Sequence, residues 1–86
     1  MHSKLYIQQE GNKLKLGNRL RKYRFEHGGI SQQDLANAVG VTRLTIHSIE
    51  TGKFNPSSLL ALKIAAFFKA DFEDIFYLIE EGNKNG

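Results

Sequence analysis

Residues 31 to 53 read Ser-Gln-Gln-Asp-Leu-Ala-Asn-Ala-Val-Gly-Val-Thr-Arg-Leu-Thr-Ile-His-Ser-Ile-Glu-Thr-Gly-Lys. Leu35, Ala36 and Val39 fall at i, i+1 and i+4 of one helical segment, and Ile46 and Ile49 at i and i+3 of the next. Each segment therefore has a single apolar face. Ser31 and Thr42 stand where a side-chain oxygen can satisfy the backbone N–H groups that a helix start leaves without partners. Gly40 supplies the positive φ of a tight turn, and Val41 fills the corner beside it. Ala36 is small enough to let two steeply crossed helices meet closely. The stretch predicts two short helices that bury their apolar faces against each other.

Two helices so joined form a helix-turn-helix, in which the second helix enters the DNA major groove. The string Ser-Gln-x-x-Leu-Ala-x-x-x-Gly-Val-x-x-x-x-Ile-x-x-Ile-Glu-x-Gly-Lys resembles the Cro/phage-repressor type of helix-turn-helix transcription factor, and the likeness covers about residues 17 to 79. The resemblance implies an all-α, compact five-helix domain. It also implies a sequence-specific regulator of double-stranded DNA, a repressor bound as a homodimer to a pseudo-palindromic operator.

Composition agrees. Eighty-six residues suit one small domain built on its own apolar core. Lys4, Lys13, Lys15, Arg19, Arg21, Lys22 and Arg24 face only Glu10 within residues 1–24, whereas residues 54–86 are net acidic. A basic end alone is as often a solvated face as a nucleic-acid contact, but beside a helix-turn-helix the polyanion reading is the better one. There is no cysteine, so neither a disulfide nor a thiolate metal site is available. His2, His27 and His47 are scattered, so neither metal nor cofactor is expected. The longest apolar runs, such as Ile64 to Phe68, fall far short of a membrane span of roughly 20 residues. A cytoplasmic protein with no membrane partner is expected.

Outward from the motif, residues 17–27 predict a first helix, with Leu20 and Tyr23 inward and Gly28-Gly29 as its stop. Pro56 breaks the chain after Phe54-Asn55, and Ser57 can cap a helix from about Ser58 to Lys69. That helix is apolar almost all round, which predicts a central position. Asp71 opens a last helical segment, Phe72 to Ile79, within a domain of residues 17–81, followed by a disordered tail at 82–86. Residues 1–16 form an N-terminal extension. Lys4 to Gln8 and Lys13 to Leu16 alternate apolar and polar around Glu10-Gly11-Asn12, which fits either a β-hairpin or a flexible arm. A hairpin would need a further strand or the domain to pack on, and Phe76 to Ile79 could offer a strand.

On the second helix of the motif, Ile46 and Ile49 look inward, leaving Arg43, Leu44, His47 and Ser48 to face base edges. Arg43 can donate two hydrogen bonds to guanine, Leu44 can cover a thymine methyl, and Ser48 and Thr45 can serve bases or phosphates. Leu44 departs from the polar residue common in the family. Gln32, at the start of its helix, is implied by the resemblance to hold a phosphate, and Thr42, Thr45, Lys53 and Asn55 are the other phosphate candidates. Glu50 matches the acidic residue of the family that pairs with an arginine on the first helix, here Arg24; the paired glycines at 28 and 29, where one is common, bear on that register.

An enzyme is not expected, since no nucleophile stands with a base and no phosphate loop is present. The competing function is a protein-interaction module, such as an antitoxin or adaptor, with a protein partner. Its support is the apolar C-terminal part, where Phe67, Phe68, Phe72, Phe76, Tyr77, Leu78 and Ile79 exceed what one small core would hide. The simplest use of those residues is a homodimer interface.

Overall fold

The structure, a computed structural model, describes residues 13–81. Their order is β1 (Lys13–Asn18), α1 (Leu20–Glu26), α2 (Gln32–Val39), α3 (Arg43–Glu50), α4 (Ser58–Phe68), α5 (Phe72–Ile75) and β2 (Phe76–Glu81). The helix starts are set by their caps. Ser31 Oγ accepts the Asp34 N–H at 2.9 Å while the Asp34 carboxylate accepts the Ser31 N–H at 3.0 Å, a reciprocal pair that fixes the entry to α2. Thr42 and Ser57 do the same singly for α3 and α4, accepting the Thr45 and Leu60 amides. Gly40, at φ 80°, turns the chain between α2 and α3, and its N–H and that of Val41 both reach the Ala36 carbonyl.

The five helices bury one cluster. Leu20 comes from α1, Leu35, Ala36 and Val39 from α2, Ile46 and Ile49 from α3, and Leu60, Ala61, Ile64, Ala65 and Phe68 from α4, closed by Ile75 and Phe76. Leu16, Tyr23, Ile30 and Val41 pack against its edge. α4 is central, as its sequence predicts, but Leu59, Leu62 and Phe67 remain exposed. The helix packs against α2 and α5, and through Phe68 it also meets Tyr23 of α1.

The segment after Asp71 differs from the single helix expected over residues 72–79. One four-residue turn ends at Ile75, and from Phe76 the backbone is extended. Phe76 pairs with Asn18, Leu78 with Leu16 and Glu81 with Lys13, an antiparallel ladder joining the two ends of the described chain. Strand wins because residues 76–81 find a six-residue antiparallel partner in β1, with Leu78 opposite Leu16 and Tyr77 over Gly17; a four-residue helix has little hydrogen bonding to set against that ladder. β1 crosses the expected boundary at residue 16/17, and Leu16 belongs to the packed unit. The hairpin's other half, at residues 4–8, and the tail at 82–86 lie outside the described residues.

The corner from β1 into α1 is tied three ways. The Arg19 N–H donates to the Ile75 carbonyl at 2.8 Å, and its guanidinium lies 4.3 Å from the centre of the Tyr77 ring. Asn18 accepts the Leu20 N–H with Oδ1 and donates through Nδ2 to the Ile49 carbonyl at 2.9 Å, holding the last turn of α3. Gly17 sits beneath Tyr77 and Ile79; a Cβ there would stand 2.5 Å from Tyr77 Cε1 and 2.6 Å from Ile79 Cδ1. Replacing Gly17 with valine should expel the Tyr77 ring from beneath Arg19 and lower stability by about 1 to 3 kcal/mol, the usual cost of overpacking, as measured by urea unfolding. Lys69, which ends α4 at φ 55°, carries a left-handed backbone on a residue with a Cβ. The Lys69→Gly variant should gain about 1 kcal/mol in the same assay.

Candidate nucleic-acid interface

The inner face of α3 is spent on the core: Ile46 and Ile49 are buried. The helix has eight residues, so the other side of its cylinder must face away from the protein. Arg43, Leu44 and His47 are exposed there, with Ser48 half-buried beside them. Thr42 is exposed at the helix start, and the Thr45 N–H is tied back to it. Lys53 and Asn55 are exposed in the loop that leaves α3, and the Lys53 and Phe54 amides both donate to the Ser48 carbonyl, which fixes that loop to the helix.

Two clefts flank α3. One, of about 450 Å³, brings Arg21 from α1 and Gln32 from α2 beside Arg43, His47, Glu50 and Thr51. The other, of about 360 Å³, sets Leu44 against Phe54 and Lys53. The surface around α3 is thus cationic and hydrogen-bonding on one flank, and on the other a mixture of hydroxyls (Thr42, Thr45, Ser48) and apolar groups with a single cation. Arg21, Thr51 and Phe54 are the members to which the sequence assigned no site role. Arg21 could have been found from its place three residues before Arg24 on the same helix, one turn along the same side. Phe54, in a loop without periodicity, carried no comparable signal.

Beneath the polar flank lies a buried ion pair. Arg24 Nε donates to Glu50 Oε2 at 2.7 Å and Nη2 to Oε1 at 3.0 Å, with the two side chains 14% and 7% exposed. Arg24 Nη1 also donates to the Ile30 carbonyl at 2.8 Å, closing the loop between α1 and α2. The doubled glycines at 28 and 29, both at positive φ, let the chain turn so that Ile30 meets that guanidinium. The hydrogen bond to Glu50, opposed by burial, holds the Arg24 guanidinium above its ordinary pKa. With its folded value raised, the guanidinium's own protonation adds stability below the guanidinium range, and that addition is lost only as strong alkali is approached.

The expected interface residues divide. Phe68 and Phe76 are 3% and 2% exposed and are core residues, so their assignment to a dimer surface is corrected. Phe68 takes the tilted Tyr23 ring at 5.6 Å, and Phe76 stacks on Phe72 at 5.2 Å. Phe72, Tyr77, Leu78 and Ile79 retain substantial exposure.

A helix-turn-helix family model matches residues 20–75. The chain belongs to the Cro/C1-type helix-turn-helix family. An uncharacterized HTH-type transcriptional regulator of Methanocaldococcus jannaschii is 52% identical over 59 residues, covering 69% of this chain and 88% of the relative. Control protein C.MunI of a Mycoplasma species is 35% identical over 69 residues, 80% of this chain and 93% of that protein. The crystal structure of the restriction-modification controller protein C.AhdI from Aeromonas hydrophila superposes with a TM-score of 0.58 at 32% identity, over 65% of this chain and 80% of that one. The family consists of DNA-binding transcription regulators rather than enzymes. Among the described residues no helix is long and apolar enough to cross a membrane.

Within this family member, Glu50 is the residue whose loss should cost most for its size. Glu50→Ala leaves the Arg24 charge buried without its partner, and equilibrium unfolding should show a loss of about 3 to 5 kcal/mol.

Proposed function

We propose that this chain is a sequence-specific regulator, acting as a repressor in the cytoplasm, that binds a pseudo-palindromic operator as a homodimer. The observation that carries the reading is the exposure of Arg43, Leu44 and His47 on a helix whose opposite face is locked into the core. A rigid helix with exposed polar and apolar tips is what readout of base edges requires. Arg43 donates to guanine, Leu44 covers a thymine methyl, and His47 and Ser48 complete the footprint. Gln32, Thr42, Thr45, Lys53 and Asn55 hold phosphates around it, and Arg21 joins them from α1. Kinship with a control protein and with a restriction-modification controller supports a role in transcription control.

The homodimer rests on Phe72, Tyr77, Leu78 and Ile79, which form exposed apolar surface around the junction of α5 and β2. A two-fold axis there would set two copies of α3 about one DNA turn, roughly 34 Å, apart. The apolar side chains Leu59, Leu62 and Phe67 on α4 favour a second reading, a module that binds another protein with the same fold.

Selection from a random duplex pool at near-physiological salt, followed by titration over a salt series, tests the first reading. An inverted repeat should emerge, bound at least about a thousandfold more tightly than scrambled DNA. Arg43→Ala should relax one base position, whereas Lys53→Ala should weaken all duplexes alike and lower the salt slope by about 1. Weak binding without enrichment would favour the protein-binding reading instead.

A further inference from the structure

The basic residues that crowd the first part of the chain are not all accounted for by α3 and its flanks. Arg24 is spent on Glu50, Arg21 shares a cleft with Gln32, and Arg19 is committed to the Tyr77 ring and, through Nη1, to the Asp74 carbonyl at 3.3 Å. Lys15 is different. It stands exposed on β1, and its side chain runs to the far end of α3, where a Cβ at Gly52 would lie 3.9 Å from Lys15 Cε. Gly52, at φ 79°, has no side chain of its own there, so the lysine stem lies directly beside the loop that carries Lys53 and Asn55.

The strand is fixed in that place. From the same strand Asn18 donates to the Ile49 carbonyl at 2.9 Å, tying β1 to the last turn of α3. The ladder with β2 sets Ile79 opposite Lys15, whereas Glu80 and Glu81 stand opposite Leu14 and Lys13. Lys15 and Lys53 thus bring two cations to one short loop. Like charges held together gain nothing from each other, but an anion placed against both gains from each. β1 also precedes residues 20–75, so this lysine lies outside the stretch that the family model matches.

We propose that Lys15 is a ligand of the DNA backbone: β1 carries it to the C-terminal end of α3, where with Lys53 it holds neighbouring phosphates at that edge of the footprint. The inference rests on the assignment of α3 to base readout. It makes the strand pair that joins the chain ends a part of the DNA-binding surface. A phosphate contact carries no sequence information, so Lys15 adds affinity to every duplex alike. A cation beside the last turn of a helix can instead serve the helix dipole alone, and the two roles differ in what they change.

Lys15→Gln keeps most of the stem and removes the charge, Lys15→Arg keeps the charge, and Lys53→Ala is the reference for the same edge. Urea unfolding of each variant reads its stability. Each phosphate contact contributes about 0.9 to the slope of log affinity against log salt. Between roughly 50 and 200 mM salt the unsubstituted chain should therefore lose about three- to fourfold more affinity than Lys15→Gln, on the selected duplex and on scrambled DNA equally. Lys15→Arg should keep the full slope. In ethylation interference, one phosphate whose modification weakens the unsubstituted chain should cease to matter in Lys15→Gln, and it should adjoin one that ceases to matter in Lys53→Ala.

An unchanged slope and phosphate pattern in Lys15→Gln, with Lys53→Ala still lowering the slope, would overturn the proposal and leave α3 as the reading helix. Lost stability without either change would assign the lysine to the helix dipole and overturn it as well. If the unsubstituted chain binds no duplex, or if both substitutions are silent on bound DNA, the assignment of α3 fails and the contact by Lys15 with it.

Discussion

The bidentate bond between Arg24 and Glu50 is the constraint to which helices α1 to α3 are referred. Removing two charges from water is costly, and the geometry offsets that cost by filling the carboxylate on both oxygens and adding the Gln32 amide to one of them. Because the side chains of α1 and α2 both meet Glu50 of α3, a rotation of α1 or α2 breaks a bond to α3, and a rotation of α3 breaks both. An apolar contact at the same place would tolerate sliding; a bond with directional donors does not.

The other organising contact is the strand pair between the chain ends. It uses residues with little to do otherwise: Gly17 makes room, Tyr77 covers it, Arg19 covers Tyr77, and Asn18 reaches from the same corner to the last turn of α3. Helix α3 is thus held at its start by the Thr42 cap, on its flank by Glu50, and at its end by Asn18.

Much of this was legible in the chain itself. Ser31, Gly40 and Thr42 are signals that act within a few residues, so the limits of α2 and α3 follow from local chemistry alone. The apolar faces of those helices follow from period 3.6, and Arg43, Leu44 and His47 follow as what remains. The stretch from Phe72 to Ile79 was not legible in that way. It is nearly continuously apolar, without a helical or a strand period strong enough to decide, and its conformation is settled by β1, almost the whole chain away. The same gap in sequence explains Phe68 and Phe76. An aromatic residue reads as surplus until one knows that Tyr23 and Phe72 stand ready to pack on it. Gln32 shows a further limit, since a polar residue's partners across a helix junction have no sequence period at all.

Pairing the first and last described strands also orders the assembly of the molecule. The helical contacts join neighbours in the chain, which close quickly because little loop entropy is lost. The β1–β2 ladder joins Lys13 to Glu81 and can form only once the helices between them have brought the ends together. The ladder should zip last in folding and open first in native-state hydrogen exchange. Tyr77 would then shed Arg19 before the helices around Arg24 and Glu50 loosen.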